Sequence, residues 1–334
     1  MQKKLRKDLL AAIDAADADL RHLSLLIHDH PELGYEEHFA HKTLTDYLSK
    51  QGFNVTRHAC GIETAFIAEF VHHHHGGDSA DSSHATAPMR SRGAFKGLDV
   101  CIMLHPAQFD VLYRQPLGVG RLEIEFHGKA SHASTSPWEG INALDAVAMT
   151  YNAIGLFRQQ TLPTNRIHSI VTNGGQASNI IPELASMTTL YRAQKPADLA
   201  KLHDQLIEII DSAAEASGCT VKVEKTMEYL PLNTNPPLAD RFGSYMKSFG
   251  VHYNSREVDE ATPAGSTDMG NVTAALPGIH PVFNIASLDG VREPGLSTHS
   301  TLFAERARTE VAHKAVIRAA KSLSLTGLDV LLDA

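Results

Sequence analysis

Histidine is over-supplied in this chain, at 20 of 334 residues, and a few of these imidazoles stand where they could do chemistry. His105 closes the apolar run LDVCIMLHP, residues 98–106, which has the form of a buried parallel strand. Open α/β sheets place ligand-binding residues at the carboxyl ends of such strands. His299 stands in LSTHSTLF. Neutral imidazoles in such places can ligate a transition metal, although a lone histidine more often satisfies a local hydrogen bond. His132, in KASHAS, reads by itself as a polar loop residue ahead of a helix, and Asn179, in ASNIIPE, as a turn former. Gly265, Ser266 and Thr267 form a loop expected to line a cleft and open a helix, and Asp268 beside them is as suited to capping as to ligation.

Two denser clusters are weaker candidates. His72–His75 are consecutive, and neighbouring side chains diverge in either extended or helical backbone, so at most two could face one ion. Their Gly- and Ser-rich flank offers no outer shell to orient them. HPELGYEE, residues 30–37, gathers histidine and carboxylates at a helix-turn-helix junction, where a structural role is expected.

These residues must be positioned by regular elements, and the patterning supplies them. Leu5, Leu9, Ile13, Ala16, Leu20 and Leu23 recur at helical spacing until Pro31 and Gly34. A second helix is expected over about 35–51, then two strands across a turn near Gly61. Residues 71–92 are small and polar and read as a loop or disorder. The middle of the chain is the clearest part. VGRLEIEFHG alternates, a helix follows over about 139–159, then come the strands RIHSIVTNGG and ELASMTTLYRA, the helix beginning PADLAKL and the strand CTVKVEKTMEY. That βαββαβ order is the ferredoxin-like split motif.

The expected architecture is therefore α/β: a discontinuous domain over 1–116 and 230–334 with a mostly parallel sheet, and an inserted ferredoxin-like domain over 117–229. YLPLNTNPPLADRF reads as the return linker, and a last amphipathic helix is expected over about 302–325.

The totals bound the function. A net charge of -8 without a Lys/Arg-dense stripe excludes a nucleic-acid partner. Cys60, Cys101 and Cys219 form no close pair, so neither a disulfide framework nor a thiolate zinc site is expected. The N-terminal helix pattern is broken by Asp14, Asp17 and Asp19, which is not the core of a signal peptide, and no run approaches the ~20 apolar residues of a membrane span. A soluble cytoplasmic protein is expected.

IHDHPELGYEE (27–37), GIETAFIAEF (61–70), GAFKGLDVCIMLHP (93–106), FHGKASHASTSPWEGINALDA (126–146), TNGGQASNIIPE (172–183), GSTDMGNV (265–272) and LSTHSTLFAERA (296–307), in that order, resemble metallopeptidase family M20. The likeness is strongest to its amidohydrolase branch and the dipeptidases acting on β-alanyl-lysine. The resemblance implies a catalytic domain with two zinc ions, an inserted lid that also dimerises, and hydrolysis of amide bonds in dipeptides or N-acyl amino acids. It implies that His105 and His299 occupy metal-ligand positions, that His132 steadies an oxyanion in the partner's site, and that Asn179 and Gly265–Thr267 contact substrate. The family's bridging aspartate, its Gly-His-x-Cys-Gly-His loop and its paired glutamates have no counterpart here, because residues 71–92 stand in place of a longer segment. Three expectations follow: an amide hydrolase, a non-catalytic dimerising or scaffolding relative, or a chain in which 71–92 derive from a faulty gene model.

Overall fold

The computed structural model describes residues 2–70, 80–83, 94–261 and 263–333. They divide into two compact units. One comprises Met1–Gln115, Asn233–Pro263 and Asn271–Ala334, and the other Pro116–Leu232 with Ala264–Gly270.

The second unit follows from its alternation. Along Gly118–His127, Leu122, Ile124 and Phe126 are buried while the intervening Glu123 and Glu125 are not, as a one-faced strand requires. The four-stranded sheet runs in the order Thr220–Tyr229, Gly118–His127, Leu184–Ala193, Arg166–Asn173, every neighbour antiparallel. Helices Ala143–Phe157 and Pro196–Ser217 lie on it, and their Val147, Ile154, Leu199, Leu206 and Ile210 share one core with the strand residues. The first helix is shorter than its pattern predicts. Residues 137–139 form a separate 3-10 turn, and Asn142 accepts from the Leu144 N–H at 3.0 Å, starting the helix there. Gly120 is required by packing: a Cβ would meet the Tyr191 ring at 2.1 Å.

The first unit is more fragmented. The opening helix divides into Gln2–Ala15 and Asp17–His28, with Ala16 N–H still donating to Ala12 and Ile13 carbonyls. His38–Lys50 follows, and Asn54–Arg57 pairs antiparallel with Phe66–Phe70. The tract expected to be a loop contributes Ala80–Ser83 as a third antiparallel strand on Phe66–Phe70, because backbone pairing needs no large side chains; residues 71–79 and 84–93, with His72–His75, lie outside the described residues. Part of the expected linker is helical. Pro236–Ser248 begins inside it, with Asn235 accepting from the Leu238 N–H at 3.1 Å. The terminal helix is two, Thr301–Ala307 and Glu310–Asp333, because Thr309 Oγ1 caps the second by accepting from the Ala312 N–H at 3.2 Å. Phe242, Met246, Ile279, Ala315 and Ala319 lie in the core beneath them. Asp259, 1% exposed, accepts from the N–H groups of Leu112 and Tyr113 at 3.0 and 3.1 Å.

The expected parallel sheet is present as two short ladders rather than a continuous one. Cys101–Ile102 pairs with Gly278–Ile279, and His105–Ala107 with Val282–Asn284. The N–H groups of Cys101, Met103 and His105 all donate across to 277, 279 and 281. The return bond fails at Pro281, which has no N–H, and Pro106 lacks one as well.

Candidate functional site

His105 opens a strand instead of closing one: it is the first residue of His105–Ala107, since the prolines split the run read from sequence. Its Nδ1 lies 2.7 Å from the Pro106 carbonyl oxygen. A carbonyl only accepts, so Nδ1 carries the proton and Nε2 the lone pair. On the neighbouring chain stands His280, 1% exposed, with ring centroids 5.7 Å apart. Sequence reading missed it, although IHP at 279–281 repeats LHP at 104–106. Arg114 was missed as well. It is half-buried, and burial draws its guanidinium below the ordinary value.

The rings carry the mark of that arrangement. Burial, then the charges of His105 and Arg114, push His280 down to about 3. His105 is also held below its ordinary value, first by burial and against the Pro106 hydrogen bond, with Arg114 and His299 contributing. His299 is thus within electrostatic reach of His105. It is exposed and takes a left-handed φ of 65° just before Ser300, which caps the helix Thr301–Ala307. Histidine tolerates that region better than most residues, at a modest cost.

The remaining candidates belong to the second unit. His132 ends the two-residue strand Ser131–His132, which pairs antiparallel with Ile180–Ile181. The Ala133 N–H donates to the Asn179 carbonyl at 3.0 Å, so His132 and Asn179 are brought together, both exposed. The His132 Nδ1 accepts from the Ser134 N–H at 3.2 Å, which leaves the proton on Nε2 and the ring directed by its own loop.

The loop Gly265–Thr267 is fixed in the same unit. The Gly265 carbonyl accepts from the Leu117 N–H at 2.9 Å, and Arg192 Nη1 donates to Ser266 Oγ at 2.6 Å. Thr267 Oγ1 accepts from the Met269 N–H at 3.3 Å, so Thr267 supplies a capping bond to the short helix Met269–Thr273. Burial raises the carboxyl of Asp268.

Could these residues hold a pair of metal ions? Among the described residues no group of three or more His, Cys, Asp or Glu side chains is placed to share an ion. Near His105 stand a second imidazole and a guanidinium, whose positive charge opposes a dication. A zinc centre ordinarily takes three or four protein ligands. The described donor set does not fit a two-metal centre.

Known proteins place the chain in context. Residues 117–217 match the family model described as the peptidase dimerisation domain, M20_dimer. The chain is 30% identical to the Xaa-Arg dipeptidase of Homo sapiens over 387 residues, covering 96% of this chain and 87% of that protein. The aligned stretch exceeds the 334 residues here, so it contains gaps on this side. Identity to the Xaa-Arg dipeptidase of Mus musculus is 37% over 240 residues, 72% of this chain and 54% of that one. The fold superposes on the aminobenzoyl-glutamate utilization protein of Klebsiella pneumoniae with a TM-score of 0.62, 14% identity, and coverage of 96% and 97%.

Proposed function

This chain belongs to the M20 peptidase family of hydrolases, and on that premise we propose that it recognises dipeptides or N-acyl amino acids at their amide bond and pairs with a second copy through its dimerisation domain. The observation that carries the reading is the alignment to the human Xaa-Arg dipeptidase, which takes in 87% of that protein. Residues suited to the substrate side support it. His132 and Asn179 are exposed and adjacent, and an imidazole N–H on such a loop can stabilise a developing oxyanion. The finer placing of the substrate among the β-alanyl-lysine dipeptides rests on resemblance alone.

In the family's two-metal route the ions would polarise the carbonyl and supply hydroxide while a carboxylate moves the proton, and the described residues do not assemble such a centre. Zinc is the ion expected for histidine-rich ligation. His105 and His299 are the described residues that would contribute to such a centre. The second reading, a binding and dimerising relative without hydrolysis, is favoured by Arg114 beside His105 and His280.

A dipeptide panel assayed with zinc-reloaded protein separates the two. Turnover that is lost in a His105→Ala, His299→Ala variant supports hydrolysis at this site. Dipeptide binding without turnover supports the second reading, and neither binding nor turnover removes the proposed ligand class.

A further inference from the structure

The terminal helix Glu310–Asp333 carries Glu310, His313, Lys314, Ile317, Arg318 and Lys321 at steps of three and one, so all six stand on one face. That face lines an open cleft of about 270 Å³. Asp17, the first residue of Asp17–His28, and Phe249, which caps Pro236–Ser248, complete the lining. Three helices of one unit therefore meet around it. We propose that this cleft binds a small phosphate-bearing anion, held by Arg318 and Lys314.

The hydrogen bonds and ion pairs around the cleft show which charges are free to bind. His313 Nε2 lies 2.9 Å from Asp17 Oδ1, and Lys321 is paired with Asp14. Lys314 stands 3.8 Å from Glu310, with both side chains exposed, and such a surface pair holds its lysine only weakly. Arg318 has no ion pair with a carboxylate among the described residues. Its Nη1 donates to the Leu288 carbonyl at 3.0 Å, and its Nε is buried without a hydrogen-bond partner. Asp110 feels the charge of Arg318, but its Oδ1 accepts from the Asn284 N–H at 3.1 Å. A half-buried guanidinium held by a neutral carbonyl keeps both its charge and unused donors.

The chemistry of these donors selects the ligand. Arg318 and Lys314 are four residues apart on the helix, about 5–6 Å between Cβ atoms. They combine a planar fork with a mobile point charge. A phosphate monoester, with three acceptor oxygens and nearly two negative charges at pH 7, engages both at once. Phe249 and Ile317 offer apolar contact to the group that bears the phosphate. The site does not depend on whether the chain hydrolyses amides.

The test is isothermal titration calorimetry of the full chain with phenyl phosphate and with inorganic phosphate, at fixed ionic strength with chloride as the reference. Wild type, Lys314→Gln, Arg318→Gln and Arg318→Lys are compared, each checked for folding by circular dichroism, and the His313 ring signals are followed by NMR. Saturable binding is expected in the wild type, tighter for phenyl phosphate, with the His313 signals shifting. Lys314→Gln weakens it about tenfold, the scale of one hydrogen bond to a charged group. Arg318→Gln abolishes it, and Arg318→Lys keeps the charge without the fork and retains part.

Should Arg318→Gln fail to fold, Lys314→Gln and Arg318→Lys decide the matter. No saturable binding beyond that of chloride overturns the site. Binding of undiminished affinity in both of those variants overturns it as well, since the anion then sits elsewhere. Equal affinity for the two probes overturns the part given to Phe249 and Ile317.

Discussion

The imidazole rings of His105 and His280 lie 5.7 Å apart, tilted by 58°, on parallel-paired neighbouring segments. Each stands immediately before a proline, Pro106 and Pro281. The parallel register pairs His105 with Val282, so His280 stands two residues earlier on the neighbouring segment, between Gly278–Ile279 and Val282–Asn284, where the missing N–H groups break the ladder and side chains define this corner of the unit.

Burial of His280 couples this corner to pH. With its pKa pushed down to about 3 against 6.5 in the unfolded chain, the unfolded state binds the extra proton between those values. Stability is then fully present above pH ~6.5 and falls as the pH drops, by about 1.4 kcal/mol per pH unit for one proton. Denaturant melts from pH 7 to 4 check this. His280→Asn flattens the His280 share of that slope, and an unchanged slope would refute the assignment.

The second unit depends on a dry core. Phe126 is 0% exposed at the centre of the sheet, and Phe126→Ala costs about 3–5 kcal/mol through lost transfer energy and a residual cavity. Equilibrium unfolding in guanidinium chloride measures it, and a loss under 1 kcal/mol would contradict the packing described.

A buried carboxylate holds the chain near Tyr113. Removing Asp259 by Asp259→Ala strands the Leu112 and Tyr113 N–H groups, at about 2–5 kcal/mol for the two donors together. Asp259→Asn keeps an accepting oxygen and loses less. Hydrogen exchange at those two amides reports the change directly, with protection falling in the alanine variant.

His132 is expected to matter to turnover and not to stability. The side chain is exposed, so His132→Ala leaves the melting temperature within the small range of surface substitutions. Where zinc-reloaded protein turns over a dipeptide, the same variant loses about 100-fold in kcat, the scale of one oxyanion donor. A kcat unchanged by the substitution would remove His132 from the reaction.

What could be read in the sequence follows from how each part is held together. The second unit was legible because its strands are one-faced: Leu122, Ile124 and Phe126 alternate with glutamates, and the two helices show matching stripes. The first unit was harder. Its parallel ladders are two and three residues long, too short to establish a period, and the helix breaks at Ala16 and Thr309 depend on local backbone bonds.

Among the candidate residues, His105, His299, His132 and Asn179 stand in stretches that resemble the family's motifs. His280 and Arg114 were passed over because neither stands in a stretch that resembles a motif of the family. The repeat of LHP in IHP was the available signal for His280. Arg114 is marked by its partial burial, which sequence alone does not show.

The central claim is that the described residues retain side chains suited to recognising a substrate without assembling the metal centre. Metal content by mass spectrometry tests it most directly, on tag-free, chelator-washed protein after zinc re-addition, with the His105→Ala, His299→Ala variant alongside. The account predicts no tightly held pair of ions that depends on these two histidines. About two zinc ions per chain, lost in the double variant, would contradict it and show that these two histidines belong to an assembled metal centre.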